Sequence, residues 1–294
     1  MQGRRTVLVT GVGGPAGKAA ARYFREQGLR VHGTDIVPVD SEATTFSLIP
    51  RGDSPEYASA ILDIARRELP LLFVCTVTEE IPAAASLKEP LRALGVSVFA
   101  TDHNMAVIAN DKYLTARYLR ASGIAVPLTF ADCECPSALE AGEVLGYPFI
   151  VKPRRGRGGR GVRVIFDRAT AADETRTDVA YQEFLGGEEY DVNLFAYPAG
   201  RLAALQIFLK TGLKQGIVGN ATGVKPVGCP AIAELAGDVV RVMRLEGGID
   251  MDVRLTESGV PKVIEVNARV GAHVRQAAGV LEQMLQESLA GVHA

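Results

Sequence analysis

The sequence predicts an α/β unit with a parallel sheet at the N-terminus, followed by an α+β region that fills the rest of the chain. Two observations predict this. Short apolar runs alternate with helical patterns through the first hundred residues, which is typical of a parallel sheet covered by helices on both faces. After residue 103, β-rich runs and a hairpin pattern predominate.

The N-terminal unit is defined by runs whose boundaries can be read directly. The predicted strands are Thr6–Thr10, Arg30–Asp35, Leu71–Cys75 and Val96–Ala100. The predicted helices between them are Pro15–Gln27, Pro55–Glu68 and Glu80–Leu94. This strand–helix alternation requires crossover connections and therefore a parallel sheet.

The remaining two thirds begin with two short predicted helices, Met105–Ala109 and Asp111–Ala121. The strand patterns that follow are Ile124–Phe130, Phe149–Lys152, Val162–Phe166, Ala180–Phe184, Tyr190–Tyr197 and Leu202–Leu209. An amphipathic helix then runs from Ile232 to Met243 and is predicted to stop at Gly247-Gly248. A hairpin from Ile249 to Asn267 and a last helix after Gly271 complete the chain.

The composition excludes several functional classes. Of 294 residues, 47% are hydrophobic and 22% charged, and the net charge is −2 with both signs interspersed. A nucleic-acid-binding protein would need a basic stripe, so we expect none. No apolar run reaches the length of a membrane span. A cytoplasmic protein without membrane or nucleic-acid partners is therefore expected.

A glycine turn follows the first strand and opens the first helix, from Gly11 to Gly17. With Asp35 at the end of the next strand, it is typical of a dinucleotide-binding unit. A short-chain dehydrogenase would also need a Tyr-x-x-x-Lys pair, and none of the eight tyrosines has lysine four residues on. We favour a tight turn in a Rossmann-like sheet, with an NAD(P)-binding protein as the rival hypothesis.

The C-terminal hairpin carries the most informative chemistry. Strand alternation places Glu265, Asn267 and Arg269 on one face, and Asp252 and Arg254 on one face of the preceding strand. Pairing through the turn at Ser258-Gly259 brings the two sets together. Two carboxylates and an amide oxygen are suitable ligands for Mg²⁺. The alternative is an exposed strand face with ordinary alternating charge.

A loop of only arginine and glycine, Arg154–Gly161, follows Lys152 at the end of a predicted strand. Glycines such as Gly158, Gly159 and Gly161 let backbone N–H groups close over phosphates, while lysine supplies charge. A mobile solvated loop is the alternative. In either case the loop has no apolar anchor, so we expect poor order without a bound nucleotide.

Between these features, the stretch Ala180–Tyr190 reads as a strand, a short linker and a second strand. Its extended backbone can bind the edge of an adenine ring, and a following carboxylate can hold ribose hydroxyls. An ordinary pair of strands with a polar link is the alternative.

Five motifs, taken in chain order, resemble those of the ATP-grasp superfamily: Asn110-Asp-Lys112, Val151-Lys-Pro, the glycine loop, Gln182-Glu-Phe-Leu-x-x-x-Glu189 and Asp252…Glu265-x-Asn267-x-Arg269. The glycine loop is similar to that of biotin carboxylase, and the step from Asp252 to Glu265 to that of D-alanine–D-alanine ligase. The glycine turn and Val263–Asn267 look like short relatives of the carbamoyl phosphate synthetase large chain, although Ala268 replaces the proline usual there.

The resemblance covers essentially the whole chain and implies three units. Residues 1–102 would form a Rossmann-like domain that precedes a two-subdomain ATP-grasp fold. Residues 103–185 would form its small subdomain with the phosphate loop, and residues 186–294 its large subdomain with the metal site.

The same resemblance implies roles for individual residues. Those on the nucleotide would be Lys112, Lys152, Gly158, Gly159, Gly161, Gln182, Glu183, Phe184, Leu185 and Glu189. Among these, Lys112 and Lys152 would bind phosphates, the backbone near Glu183 and Leu185 would bind adenine, and Glu189 would bind ribose. Asp252, Glu265 and Asn267 would hold one or two Mg²⁺ ions, or Mn²⁺. Arg269 and Arg254 would act in catalysis, with Arg269 steadying the transferred phosphoryl group.

The reaction implied is ATP-dependent activation of a carboxylate as an acyl phosphate, followed by its joining to an amine. A carbamoyl-phosphate-synthetase-like or biotin-carboxylase-like enzyme acting on bicarbonate is the alternative. The substrates would be small molecules, and a homodimer is the assembly considered. Lys210, Lys214, Asn220 and Arg275 are expected to shape the acceptor pocket. His273 is expected to be a partly exposed polar residue at a helix start, with a general base as its alternative role.

Overall fold

Three β-sheets succeed one another along the chain in the structure, a computed structural model that describes residues 5–291. The first sheet lies within residues 6–98, the second within 129–183 and the third within 189–267. Each sheet therefore lies inside one of the three predicted units. The boundaries of those units remain a prediction, and their outermost residues, 1–4 and 292–294, lie outside the described residues.

The first sheet is parallel and five-stranded, with the order β3-β2-β1-β4-β5. Its strands are β1 (Thr6–Thr10), β2 (Arg30–Asp35), β3 (Thr45–Leu48), β4 (Leu72–Val74) and β5 (Ser97–Val98). The helices beside it are α1 (Pro15–Glu26), α2 (Tyr57–Glu68), α3 (Ile81–Ser86) and α4 (Lys88–Arg92). Every residue of β1 and β4 is buried, as expected for strands covered on both faces.

Two features of this unit differ from the sequence prediction. The edge strand β3 was not predicted, because it contains only two large apolar residues, Phe46 and Leu48, and both are exposed. The predicted helix Glu80–Leu94 is divided into α3 and α4. Pro90 explains the division, since it has no N–H to donate to the carbonyl of Ser86 four residues earlier.

The second sheet is antiparallel and four-stranded, with the order β6-β9-β7-β8. Its strands are β6 (Thr129–Ala131), β7 (Phe149–Pro153), β8 (Arg163–Ile165) and β9 (Val179–Glu183). Its neighbouring helices are α5 (His103–Ala109), α6 (Lys112–Ala121), α7 (Ala138–Leu145) and α8 (Arg168–Ala172). Most of the predicted strand Ile124–Phe130 is loop, because only its last two residues join the sheet.

The third sheet is antiparallel and five-stranded, with the order β12-β11-β10-β13-β14. Its strands are β10 (Glu189–Tyr197), β11 (Arg201–Leu213), β12 (Ala221–Val227), β13 (Gly247–Leu255) and β14 (Pro261–Asn267). Helix α9 (Pro230–Val242) covers one face, and α10 (Ala278–Gly291) follows the sheet. The predicted stop of α9 at Gly247-Gly248 is wrong: both glycines lie in β13, and Arg244 already has a left-handed φ of 49°.

Strand alternation decides the two faces of the third sheet. Tyr190, Val192 and Leu194 of β10 pack in one apolar cluster with residues of α9 such as Ile232 and Val239. Farther along, Phe195 and Phe208 point the other way and pack with α10 and the first sheet. The third sheet is thus attached to the N-terminal unit at one end of its second face, which leaves the other end of that face available for polar residues.

None of the helices within residues 5–291 is both long enough and apolar enough to cross a membrane.

The tight glycine turn gives a stability prediction with its own matched control. A Cβ at Gly17 in α1 would lie 2.2 Å from the backbone oxygen of Gly11, whereas a Cβ at Gly237 in α9 would meet nothing within 4 Å. Gly17→Ala should lower the free energy of unfolding by about 1–3 kcal/mol through overpacking. Gly237→Ala should raise it by roughly 0.5–1 kcal/mol through helix propensity. Urea denaturation followed by circular dichroism measures both, and equal effects would contradict the packing at Gly17.

Candidate active site

A row of polar side chains lies on the face of the third sheet opposite α9, at the end that does not pack against the N-terminal unit. Backbone register pairs Glu189 with Arg254, Asp191 with Asp252, and Asn193 with Asp250. Directly paired residues of antiparallel strands point to the same face, so all six project away from α9. Glu189, Asp191 and Asn193 are each at least nine-tenths buried, which places this polar face in the interior of the protein.

The predicted hairpin brings the expected metal ligands together. Asp252 pairs with Glu265, and Asp250 pairs with Asn267. Next to the Asp252–Glu265 pair, a bulge leaves Ile264 as an extra residue in β14. Because of this bulge, Val263 can still face the apolar core with Val266. The bulge therefore keeps Glu265 and Asn267 on the polar face while the apolar residues stay inside.

Each of the three expected ligands also has a partner within the protein. The Lys210 ammonium lies 2.6 Å from Asp252, and the Lys112 ammonium 3.1 Å from Glu265. The hydroxyl of Thr78 donates to Asn267 Oδ1 at 3.2 Å. Within residues 5–291, no three His, Cys, Asp or Glu side chains converge in metal-ligand geometry. The oxygens nevertheless fit Mg²⁺, because two of them belong to neighbouring carboxylates that already require cations.

Burial and neighbouring charges shift the pKa values of the carboxylates of this site. Burial raises the pKa of Asp252 to about 6, with Lys210 opposing the change, and raises the pKa of Asp250 to about 7, with Arg269 opposing it. Burial also acts on Glu265, but Lys112 and Lys152 outweigh it and hold its pKa below the ordinary value. An added divalent cation would relieve the unfavourable burial of Asp252.

Lys152 extends from the second sheet toward the hairpin of the third. Its ammonium donates to Gln182 Oε1 at 2.9 Å and to the carbonyl oxygen of Ile264 at 3.1 Å, and the residue is 5% exposed. Burial lowers the pKa of Lys152 to about 8, although Glu265 favours its charged form. Gln182 therefore positions Lys152, and Thr129 in turn accepts a hydrogen bond from the Gln182 amide.

Lys112 is fixed where the glycine loop begins. It is the first residue of α6, whose N-cap Asp111 accepts hydrogen bonds from the Tyr113 and Leu114 N–H groups. The same Asp111 binds the guanidinium of Arg154. The Lys112 ammonium also donates to the Gly156 carbonyl at 2.9 Å. The two predicted phosphate-binding lysines thus both lie beside this part of β14: Lys112 contacts the Glu265 carboxylate, and Lys152 contacts the carbonyl of the preceding residue, Ile264.

Glu189 is held by two cations. Lys210 contacts it at 2.7 Å and Arg254 at 3.3 Å. Lys210 therefore bridges the predicted ribose-binding and metal-binding carboxylates, and their opposing charges raise its pKa despite burial. The expectation that Lys210 shapes the acceptor pocket stays a prediction. The signal that would have located it is strand alternation on β11, which places Lys210 beside Glu189.

The two catalytic arginine candidates are separated rather than brought together. Arg254 donates to the Gly187 and Ile217 carbonyls, and its guanidinium lies over the Phe184 ring at 5.3 Å. Arg269 instead binds Asp250 and donates to the Thr78 hydroxyl at 3.2 Å. The expected convergence of both guanidiniums is wrong, because Arg254 and Arg269 extend from opposite ends of the hairpin.

The segment predicted to bind adenine begins at Glu183, the last residue of β9, and continues into the linker. Both Glu183 carboxylate oxygens accept from Lys262, and one also accepts from the Leu128 N–H at 2.9 Å. Leu185 is buried. The Glu183 N–H also donates to the Leu128 carbonyl at 2.8 Å, so the side chain and the N–H of Glu183 are both already paired within the protein.

The glycine loop touches all three units. Arg157 pairs with Glu79 of the N-terminal unit at 3.3 Å. A Cβ at Gly159 would lie 2.7 Å from the Cα of Gly219 in the turn between β11 and β12, and one at Gly158 would lie 3.4 Å from Asn220. Gly161 similarly lies against Pro153. Close backbone approach at a positive φ explains why glycine is needed at Gly159.

In the N-terminal glycine turn, side chains of the protein itself lie against the backbone of Gly13. The Gly13 N–H donates to Asp35 Oδ2 at 2.9 Å, so the acid that would bind ribose in a dinucleotide site is used within the turn. A Cβ at Gly13 would lie 2.7 Å from the Val39 side chain. The tight-turn interpretation therefore explains both residues.

Both the sequence and the fold of the chain are similar to those of known proteins. A sequence profile described as the ATP-grasp domain matches residues 109–273, more than half of the chain. A carbamoyl phosphate synthase large chain from Thermomicrobium roseum is 26% identical over 75% of this chain but only 22% of its own length. A D-alanine–D-alanine ligase from a Marinomonas species is 27% identical over 83% of this chain and 78% of its own.

Among solved structures, an L-amino acid ligase from Bacillus licheniformis has the same fold. It superposes with a TM-score of 0.71 at 17% identity, covering 98% of this chain and 75% of that one.

The lysine between two carboxylates gives the prediction of this subsection. Lys210→Met should lower the free energy of unfolding by about 3 kcal/mol, because it leaves Glu189 and Asp252 as buried charges without their shared cation. Lys214→Met is the matched control, since Lys214 is exposed. Thermal and urea unfolding of both variants measure the effect. Equal stability of the two variants would show that Lys210 does not compensate these carboxylates.

Proposed function

The chain belongs to the ATP-grasp domain family, and we propose that it is an ATP- and Mg²⁺-dependent ligase that activates a carboxylate and joins it to an amine. The chain spans only 22% of the length of the carbamoyl phosphate synthase large chain from Thermomicrobium roseum. The complete reaction of that relative therefore does not transfer to it directly. The proposal rests on the residues of the site.

One observation carries the proposal: buried cations from the second sheet and α6 face carboxylates of the third sheet. Lys112 contacts the Glu265 carboxylate, and Lys152 contacts the carbonyl of Ile264, the residue before it. Glu265 is in turn the neighbour of Asp252 across the strands. Phosphate chains require cations on their oxygens, and a metal ion between phosphates and protein requires carboxylates. A site with both sets facing each other suits a nucleoside triphosphate.

The nucleotide would extend along the row of polar side chains. Its adenine would lie on the main chain near Glu183 and Leu185, next to Phe184 and Arg254, and its ribose at Glu189. Its phosphates would lie at Lys112 and Lys152 beneath Gly158, Gly159 and Gly161. Asp252, Glu265 and Asn267 would hold Mg²⁺, which supplies positive charge for the oxygens of the transferred phosphoryl group.

The protein's own part in the reaction is positioning and charge stabilisation. A substrate carboxylate oxygen attacks the terminal phosphorus of ATP, forming an acyl phosphate and releasing ADP. Lys152 and Arg269 bind the charge that develops on the phosphoryl oxygens. An amine then attacks the acyl carbon, and inorganic phosphate leaves. Closure of the glycine loop would exclude water, which would otherwise hydrolyse the acyl phosphate.

Three of the sequence expectations remain open. Bicarbonate is a second candidate for the carboxylate, favoured by the similarity to a carbamoyl phosphate synthase large chain. A homodimer and a cytoplasmic location stay predictions from the sequence.

The function is tested by measuring phosphate release from MgATP with the standard amino acids, simple carboxylic acids and bicarbonate, each with and without amines, and by mass spectrometry of the products. We expect a carboxylate-dependent release and an amide product. Glu265→Gln should reduce turnover by roughly 100-fold, since it removes an anionic ligand while preserving shape. Glu257→Gln, at an exposed position of the same hairpin, is the control.

Two results would contradict the proposal. The first is stabilisation by NAD⁺ or NADPH, and not by MgATP, in thermal unfolding experiments. The second is full turnover by a folded Glu265→Gln variant, which would remove the metal site from this hairpin.

The glycine loop offers an independent test by limited proteolysis. Trypsin can cleave after Arg154, Arg155, Arg157 and Arg160 when the loop is open. A non-hydrolysable ATP analogue with Mg²⁺ should slow this cleavage, because the phosphates hold the loop closed. Gly159→Ala should lose most of the protection, since its Cβ would clash with Gly219. An unchanged cleavage rate with bound nucleotide would exclude the loop as a phosphate lid.

A further inference from the structure

Asp191 of the polar face forms a pair with His273, and neither side chain has a role in the proposed reaction described above. His273 Nδ1 lies within hydrogen-bond distance of Asp191 Oδ2, and Asp191 Oδ1 accepts from the Asn193 amide at 2.8 Å. Asp191 is 2% exposed and pairs across the strands with Asp252. The pair therefore lies one strand away from an expected metal ligand.

The hydrogen bond fixes the tautomer of His273. An ionised carboxylate only accepts hydrogen bonds, so Nδ1 carries the proton that it donates to Asp191. A neutral imidazole then has its lone pair on Nε2. No partner for Nε2 is found among the residues that the structure describes, and a quarter of the side chain is exposed. Among the described residues, His273 thus carries a proton acceptor without a partner, on a side chain that is partly exposed.

The segment that carries His273 is held firmly against the polar face. A Cβ at Gly271 would lie 2.4 Å from Asn193 Oδ1 and 2.7 Å from Asp250 Oδ1. At the other end, the Val270 N–H donates to the Cys75 carbonyl of the N-terminal unit at 3.4 Å. Val274 is completely buried. His273 therefore lies on a fixed connection between the N-terminal unit and the polar face.

The charges around His273 favour a positively charged substrate group. Asp191 of β10 and Asp250 of β13 face it, and Lys210 of β11 is the nearby ammonium. The hydrogen bond to Asp191 raises the pKa of His273, while burial opposes the change. A substrate amine arrives as an ammonium ion, because an alkyl amine has a pKa of about 10. It must lose a proton before its nitrogen can attack.

We propose that His273 is the general base for the acceptor amine, and that Asp191 is its positioning residue. The proposal rests on the proposed function. His273 Nε2 takes one proton from the ammonium group, and the freed lone pair forms the C–N bond to the acyl carbon. The bond from that carbon to the phosphate oxygen breaks, and inorganic phosphate leaves with the electron pair. The second nitrogen proton passes to the departing phosphate or to water, and His273 returns its own proton to water.

The experiment separates the amine from the rest of the reaction. Hydroxylamine is largely unprotonated at neutral pH and intercepts an acyl phosphate without a base, giving a hydroxamate. His273→Gln should retain hydroxamate formation within about threefold but lose roughly 100-fold in kcat/KM for an alkyl amine, the usual size of general-base catalysis. The carboxylates tested are the standard amino acids, acetate, succinate and bicarbonate, with methylamine, glycine amide and hydroxylamine as nucleophiles.

Two further variants sharpen the result. Asp191→Asn should give a similar selective loss, and its rate with alkyl amines should rise steadily with pH as free amine accumulates, whereas the wild-type rate should level off above the pKa of His273. His103→Gln is the matched control, since His103 is exposed and bonds only to Ser86 and the Pro82 carbonyl among the described residues. It should leave both products unchanged.

Each other outcome overturns the proposal in a distinguishable way. A folded His273→Gln variant that loses hydroxamate and amide equally shows a structural role only. One that keeps both products shows no role. If His273→Gln does not fold, the pH profile of Asp191→Asn decides, and a profile like that of the wild type rejects the base. If the wild-type protein makes neither product from any carboxylate, the proposed function fails, and the base fails with it.

Discussion

The division of the third sheet into an apolar face and a polar face is the constraint on which the rest of the structure depends. Tyr190, Val192 and Leu194 are buried against α9, and the alternate residues of β10 are therefore forced to the opposite side. That side carries Glu189, Asp191 and Asn193. Moving β10 by one residue would place these groups in the apolar core. The packing of α9 therefore fixes the site as well as the sheet.

Buried charge is the second organising feature. The carboxylates of the polar face are compensated by ammonium and guanidinium groups from other elements: Lys112 from α6, Lys210 from β11 and Arg269 from the segment after β14. Removing one partner of such a pair is costly because the remaining charge stays buried. The same property would suit the proposed binding of a metal ion and a phosphate chain, since each ligand would replace a charge partner that the protein otherwise supplies.

The N-terminal unit contributes contacts rather than a nucleotide site of its own. Asp35 binds the Gly13 N–H within the glycine turn. Toward the polar face, Thr78 bonds both Asn267 and Arg269, and Glu79 pairs with Arg157 of the glycine loop. Loop, hairpin and N-terminal unit are therefore connected through two neighbouring residues, Thr78 and Glu79.

The sequence alone determined what depends on local periodicity. Strands Thr6–Thr10 and Arg30–Asp35 and the pairing of Asp252 with Glu265 follow from alternation and from one turn. It did not predict β3, which has few apolar residues, nor the division of the helix at Pro90. Only the tertiary structure decided the partners of charged groups: Lys210 with Glu189, His273 with Asp191, and Arg254 apart from Arg269. Asp191 and His273 are 82 residues apart in the chain, and no local pattern specifies such a contact, because it depends on how whole sheets and connecting segments pack.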